Sequence, residues 1–146
     1  MPMIQLTVPE GALTPAGRDG IQRSLAALLL CWEGAPDTAL FRSLAWSYLT
    51  ELPAGAQTTA EDDAPRFRVD VTVPQGALSV RRKAGLVADA TSAVLDAAGL
   101  TAADAQRVWV LIHEQPEGTW GAGGTVIRYA DLVAVAQAQR EQPADA

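Results

Sequence analysis

A short phrase occurs twice in this chain, 65 residues apart. Residues 6–13 read LTVPEGAL and residues 71–78 read VTVPQGAL. An internal repeat fixes the architecture more firmly than any single residue does. Because there are only two copies, the repeat indicates a duplicated supersecondary unit rather than a solenoid.

Each copy predicts a strand, a helix and a second strand. Residues 3–8 and 67–73 are rich in strand-forming types and end at Pro-x-Gly. Thr14 and Ser79 are suitable N-caps for the helices that follow. The residues expected to form the apolar helix faces are Ile21, Leu25, Leu28 and Trp32 in the first copy and Val87, Ala90, Val94 and Leu95 in the second. Returning strands are predicted over residues 40–51 and 107–114.

A strand, a helix and a parallel strand make a βαβ unit with a right-handed crossover. The predicted fold class is therefore α+β, with two tandem βαβ units that form one four-stranded sheet with both helices on one face. The expected boundaries are residues 1–53 for the first unit, 54–65 for a polar linker, and 66–146 for the second unit. The second unit also carries a glycine-rich hairpin and a helix over about residues 129–140, before a frayed polar tail.

The composition is that of a globular protein, with 49% hydrophobic and 19% charged residues. The net charge of −6 argues against nucleic acid or an anionic membrane as a partner. With one histidine and one cysteine, no metal site and no cofactor are expected. Cys31 has no partner for an internal disulfide and is predicted to be a small buried hydrophobe. We expect a soluble, cytoplasmic protein, because no leader and no long apolar run is evident.

Only the first copy begins with Met-Pro, and Phe67 stands where the second copy would match Pro2. Once Met1 is removed, Pro2 carries a secondary amine, whereas retained Met1 makes that nitrogen a non-basic amide. An α-amino group ordinarily titrates at about 7.7–8.0, and burial lowers that value. A free amine near neutrality can remove a proton next to a carbonyl and return it elsewhere. Pro2 is therefore the candidate catalytic residue.

These residues resemble the tautomerase superfamily, whose members are built from βαβ units and expose an N-terminal proline. Residues 118–124, GTWGAGG, are similar to the G-x-(aromatic)-G-x-G-G hairpin of 4-oxalocrotonate tautomerase, and Glu10-Gly11 and Glu114 also match. The resemblance covers most of the chain as two fused units. In length the chain is similar to cis-3-chloroacrylic acid dehalogenase and malonate semialdehyde decarboxylase, which are trimers.

The resemblance implies a homotrimer of the tautomerase fold that acts on a small carbonyl or enol compound through Pro2. The implied activity is that of an isomerase that interconverts keto and enol forms. Two alternatives remain, namely a proline-dependent dehalogenase or decarboxylase and a catalytically silent trimer.

The two arginines that hold a substrate carboxylate in 4-oxalocrotonate tautomerase are missing. Ala12 follows the Glu-Gly, and Trp46 stands five residues before the strand-ending Glu51. Trp109 stands at the matching position in the second copy, five residues before Glu114. Together with Trp120 of the hairpin, Trp46 and Trp109 are predicted to line a flat, apolar substrate pocket. Arg66 and Arg68 are the predicted substitute anchors for the substrate.

Overall fold

The computed structural model describes residues 2–142 and has the predicted duplicated plan. The elements of the first unit are β1 (Met3–Pro9), α1 (Pro15–Glu33), α2 (Ala39–Leu44) and β2 (Trp46–Leu52). Those of the second are β3 (Phe67–Pro74), α3 (Val80–Ala98), a 3-10 helix (Ala102–Arg107), β4 (Val108–Gln115), the hairpin strands β5 (Gly121–Ala122) and β6 (Thr125–Val126), and α4 (Tyr129–Glu141). The predicted removal of Met1 and the predicted polar tail after residue 142 lie outside the described residues.

Helices α1 and α3 begin and end by the same local chemistry. The side chain of Thr14 accepts a hydrogen bond from the Gly17 amide at 3.0 Å, and Ser79 accepts one from the Arg82 amide at 3.2 Å. Both helices are 19 residues long. They stop at Gly34 and Gly99, whose left-handed φ values of 70° and 67° suit glycine. The repeat therefore extends through both helices.

The strand order in the sheet is β2-β1-β3-β4. Each unit pairs its own strands in parallel, and β1 and β3 join the units antiparallel. Met3 at the start of β1 consequently lies beside Thr72 near the end of β3. The starts of the two units therefore lie at opposite ends of the sheet. Pro2, directly before β1, consequently lies near the end of β3 and far from its start.

The core fills the space between the sheet and the two long helices. Its largest fully buried side chains are Ile4, Leu6, Val8, Leu25, Leu29, Val69, Val71, Val73, Leu86 and Val94. Helices α1 and α3 approach closely because each has a glycine where it contacts the other. A Cβ at Gly17 would meet the Ala97 carbonyl oxygen at 2.0 Å, and one at Gly85 would meet the Trp32 ring at 2.1 Å.

Three predictions about individual segments are wrong. Residues 40–44 belong to α2 rather than to a strand, because Thr38 caps a helical turn that buries Phe41. Val87 is 37% exposed, and its neighbour Leu86 takes the core position. Cys31 is exposed, since it lies on the outer side of α1.

Among residues 2–142, no layer covers the face of the sheet opposite the helices. That face exposes four large apolar side chains, Trp46, Tyr48, Trp109 and Leu111. Between them, His113 Nε2 lies 3.0 Å from an oxygen of Asp70, and Arg68 Nε donates to the other oxygen at 2.7 Å. Burial opposes ionisation of Asp70, but these two hydrogen bonds hold its pKa below the usual range. Across residues 2–142, no helix is long and apolar enough to cross a membrane.

Candidate active site

Pro2 is a buried residue directly before β1. Its carbonyl accepts a hydrogen bond from the Trp46 amide at 3.2 Å, so the end of the β1–β2 ladder fixes its position. Two cavities meet at Pro2 and share it and Leu44 as a common wall. Pro2 therefore faces two chemically different spaces.

The first space, here called the polar cavity, has a volume of about 260 Å³. Three charged residues line it, and each comes from a different helix: Glu33 ends α1, Arg82 lies in the first turn of α3, and Arg140 lies in the last turn of α4. Phe41 of α2 is among its apolar walls. Four helices thus meet around a cavity that Pro2 closes from the sheet side.

Both arginines of the polar cavity are held by main-chain carbonyls. Arg82 Nη1 donates to the Glu33 carbonyl at 2.9 Å, and Arg140 Nη2 donates to the Gly34 carbonyl. These carbonyls belong to the C-terminus of α1, where the helix dipole favours cations. Within the described part of the chain, neither guanidinium lies within salt-bridge distance of a carboxylate.

The carboxyl group of Glu33 is partly buried in the polar cavity. Burial raises its pKa from 4.5 to about 7, and the positive charge of Arg82 acts in the opposite direction. A carboxyl group that titrates near neutrality can hold or release a proton under ordinary conditions. Perturbed groups of this kind cluster at functional sites.

The second space, here called the tryptophan cavity, has a volume of about 610 Å³ and is lined by Trp46 and Trp120. Trp120 stands at the start of the hairpin, and its carbonyl accepts from the Ile127 amide at 2.8 Å. Gln115 supports the same turn by donating to the Thr119 hydroxyl at 2.9 Å. Two of the three predicted pocket tryptophans therefore lie beside Pro2.

The remaining predicted site residues lie at the other end of the sheet. Arg66, Arg68 and Trp109 line a separate cavity of about 360 Å³ near the start of β3. Arg66 lies 3.2 Å from Asp62, and Arg68 lies 2.7 Å from Asp70. Within one chain these three residues are not brought together with Pro2.

The repeat shows where the two ends of the fold differ. A shift of 65 residues places Pro2 on Phe67, Glu33 on Ala98 and Arg82 on Gly17. The amine position, the acid and the arginine of the Pro2 end therefore have no counterparts at the other end. Sequence reasoning missed Glu33, Arg82 and Arg140, although the breaks in the repeat at positions 33 and 82 were visible signals.

A comparison with family models matches the second unit of the chain. The sequence model described as tautomerase enzyme matches residues 68–130. That stretch contains nearly all of β3 together with α3, β4 and the hairpin. The second unit of the chain is therefore similar in sequence to tautomerase enzymes.

Solved structures with the tautomerase fold extend the likeness over both units. The structure of Pt0534 inactivated by 2-oxo-3-pentynoate is 20% identical, with a TM-score of 0.72, and the match covers 85% of this chain and 95% of that one. The fused 4-OT called Q0, a symmetric trimer, is 21% identical, with a TM-score of 0.70 and coverage of 92% and 98%. N1, described as a member of the cis-3-chloroacrylic acid dehalogenase family, is 20% identical, with a TM-score of 0.72 and coverage of 97% and 92%.

At these identities the likeness establishes the fold of this chain and nothing finer. No curated protein matches its sequence.

Proposed function

We propose that this chain is a tautomerase that interconverts the keto and enol forms of a small carbonyl compound, with the amine of Pro2 as base and acid after Met1 is removed. The observation that carries the proposal is a difference between the two repeated units, because only one of them has these functional side chains at the matching positions. Pro2, Glu33 and Arg82 line one cavity, whereas the positions that match them in the repeat are Phe67, Ala98 and Gly17. A purely structural duplication gives no reason for that asymmetry.

The chemistry needs one group that takes a proton and gives it back. The free Pro2 nitrogen removes a proton from the carbon next to the carbonyl, and the electron pair moves to the carbonyl oxygen. The protonated amine then gives that proton to the oxygen, which completes the enol. The reverse step returns the proton to carbon. A positioned base contributes about 10²–10⁴-fold to such a step, and no other reactant is consumed.

The proposed substrate-binding residues fall into two groups. Trp46 and Trp120 offer flat apolar walls beside Pro2. Arg66, Arg68 and Trp109 can reach a Pro2 site only from a second copy of the chain. The proposed homotrimer provides such copies, and the uncovered outer face of the sheet is the surface that it would bury.

One observation favours a second candidate, the proline-dependent dehalogenase or decarboxylase. Glu33 lines the Pro2 cavity, and burial raises the pKa of its carboxyl to about 7. In a hydrolytic dehalogenation, ionised Glu33 would take a proton from water as the water oxygen bonds to the carbon that bears the halogen. Protonated Pro2 would give a proton to the neighbouring carbon, and the product would then release halide and a proton to leave a carbonyl. Glu33→Gln separates the candidates, because it would abolish a hydrolytic reaction and spare a tautomerisation that uses Pro2 alone.

The test of the proposal is the ketonisation of phenylpyruvate enol, followed by absorbance. We expect protein with a free Pro2 to accelerate it, with a rate that rises with pH as the amine loses its proton. Protein with retained Met1 or an uncleaved tag should be inactive, because its nitrogen is an amide. Pro2→Ala keeps a primary amine and should retain reduced activity.

Intact-mass analysis establishes which terminus each preparation carries. Equal rates for free and blocked termini would refute the role of Pro2. Met1 retained on protein from its natural host would favour the catalytically silent trimer.

A further inference from the structure

The wall between the polar cavity and the tryptophan cavity is formed by two residues. Among residues 2–142, only Pro2 and Leu44 line both spaces. Pro2 lies directly before β1, whereas Leu44 is the last residue of α2. Leu44 is half-buried, and its side chain is apolar and branched. It is therefore the residue that, together with Pro2, keeps the two cavities separate.

The chain holds Leu44 in place from both sides. Before it, the Phe41 side chain is buried, and the Phe41 amide donates to the Thr38 hydroxyl at 3.4 Å. After it, the Trp46 amide donates to the Pro2 carbonyl at 3.2 Å. Leu44 thus lies between two anchored points, and the second of them is Pro2 itself. The fold therefore fixes the position of Leu44 relative to Pro2.

The second unit has no equivalent of this wall. When the two copies are aligned on their strand-ending glutamates, Glu51 and Glu114, Leu44 falls on Arg107. Arg107 ends a 3-10 helix in which no residue is buried. A helix that places an apolar side chain at this point therefore occurs in the unit that carries Pro2, and the other unit has a charged residue there.

A carbon that exchanges its proton with Pro2 must lie at this wall. One bulky substituent on that carbon can lie in one of the two cavities. A second bulky substituent would have to enter the other cavity through the position of the Leu44 side chain. Adding carbon atoms where a side chain already fills the space is unfavourable. Leu44 therefore limits the groups that the reacting carbon can carry.

We propose that Leu44 is a specificity-determining residue, which restricts the substrate to carbonyl compounds with a single bulky substituent on the reacting carbon. That this carbon exchanges a proton rests on the proposed function. The division of the space rests on the cavities alone, so binding and rate test the two separately.

The binding experiment uses three neutral ketones, acetophenone, isobutyrophenone and pivalophenone, which carry no, two and three methyl groups on the carbon next to the carbonyl. Affinity is measured by NMR titration of the indole N–H signals of Trp46 and Trp120. In the parent protein, affinity should fall about tenfold from acetophenone to pivalophenone. In Leu44→Ala the order should reverse, because each added methyl group then fills space that Leu44 occupied and strengthens binding by up to about fourfold.

Two other leucines provide matched controls for the same truncation. Leu132 lines the polar cavity and not the tryptophan cavity, so Leu132→Ala enlarges one space without opening the wall. Leu40 lies on α2, is 42% exposed and lines neither cavity. Both variants should keep the ligand order of the parent, and so should Leu44→Met, which preserves the bulk. Leu44→Val should shift the order part of the way, and it replaces Leu44→Ala if alanine prevents folding.

The ketonisation rate provides a second readout. The 3-methyl derivative of phenylpyruvate enol carries a second substituent on the reacting carbon. The ratio of kcat/KM for phenylpyruvate enol to that for the derivative should fall about tenfold in Leu44→Ala and stay within about twofold in Leu40→Ala.

The inference is overturned if Leu44→Ala, or Leu44→Val in its place, keeps the ligand order of the parent. A reversal of equal size in Leu132→Ala or Leu40→Ala would also overturn it. A reversal confined to Leu44, together with equal ketonisation rates for free and blocked termini, would refute only the role of Pro2. Rates that depend on Pro2, with an unchanged ligand order in Leu44→Ala, would refute only the role of Leu44.

Discussion

Replacing Glu33 by glutamine should stabilise the protein at alkaline pH and change little in acid. A pKa displaced from 4.5 to about 7 means that the folded state holds the Glu33 proton more tightly than the unfolded state does. Stability therefore falls as pH rises through that window. At 1.36 kcal/mol per pH unit, full ionisation of the Glu33 carboxyl lowers the free energy of unfolding by about 3 kcal/mol. The groups that share the polar cavity with this carboxyl are Arg82 from α3, Arg140 and Tyr129 from α4, and Pro2.

Urea unfolding followed by tryptophan fluorescence, at fixed protomer concentration, measures the effect. The free energy of unfolding of Glu33→Gln should exceed that of the parent by about 1 kcal/mol at pH 5 and about 3 kcal/mol at pH 8. Glu61→Gln, at an exposed position in the linker, is the control and should show no such trend. A Glu33→Gln difference that is constant with pH, or that shrinks toward pH 8, would refute the assignment of burial as the cause.

Other outcomes follow from the helix crossing, the tryptophans and the outer face. Gly17→Ala should lower the free energy of unfolding by about 3 kcal/mol, since its Cβ would meet the Ala97 oxygen at 2.0 Å. Gly20→Ala, with open space around it, should raise it by about 0.5–1 kcal/mol; equal effects would contradict the close approach. Trp120→Ala should raise KM for phenylpyruvate enol and keep the assembly, whereas Trp109→Ala should weaken the assembly first; the reverse pattern would exchange their roles. Light scattering should give about three times 15.3 kDa, and a stable monomer at micromolar concentration would exclude the proposed trimer.

The fold followed from the sequence because its signals are local. Thr14 and Ser79 bond to amides three residues away, and Gly34 and Gly99 end both helices in the same conformation. Helix α2 was not predicted because an apolar run of this length is too short for its periodicity to distinguish a helix from a strand. Its six residues form a helix because Thr38 caps them and Phe41 reaches the interior.

The site was harder to predict from the sequence than the fold, since its residues come from the ends of separate helices and strands. Pro2 could be predicted from its position after Met1 and from the chemistry of its secondary amine. Arg66 and Arg68 were plausible by type, but the antiparallel β1–β3 pairing places the start of β3 away from Pro2. Glu33 and Arg82 meet only because α1 and α3 run antiparallel, a relation that no local pattern encodes. Arg140 depends on where α4 returns across the molecule.

The linker is longer than the gap that it bridges. Leu52 and Phe67 lie on either side of β1, about 10 Å apart, whereas residues 53–66 can reach about 45 Å. The pairing of β1 with β3 and the packing of α1 on α3, rather than the linker, hold the halves together. A protease cut at residues 54–56 should therefore leave a nicked but associated protein. Conversely, during synthesis the first half exposes β1 as an open edge until β3 emerges, about a second or more later. In that interval a β3 strand from another chain can take the same place, and we expect exchange of halves between neighbouring copies as the main misassembly.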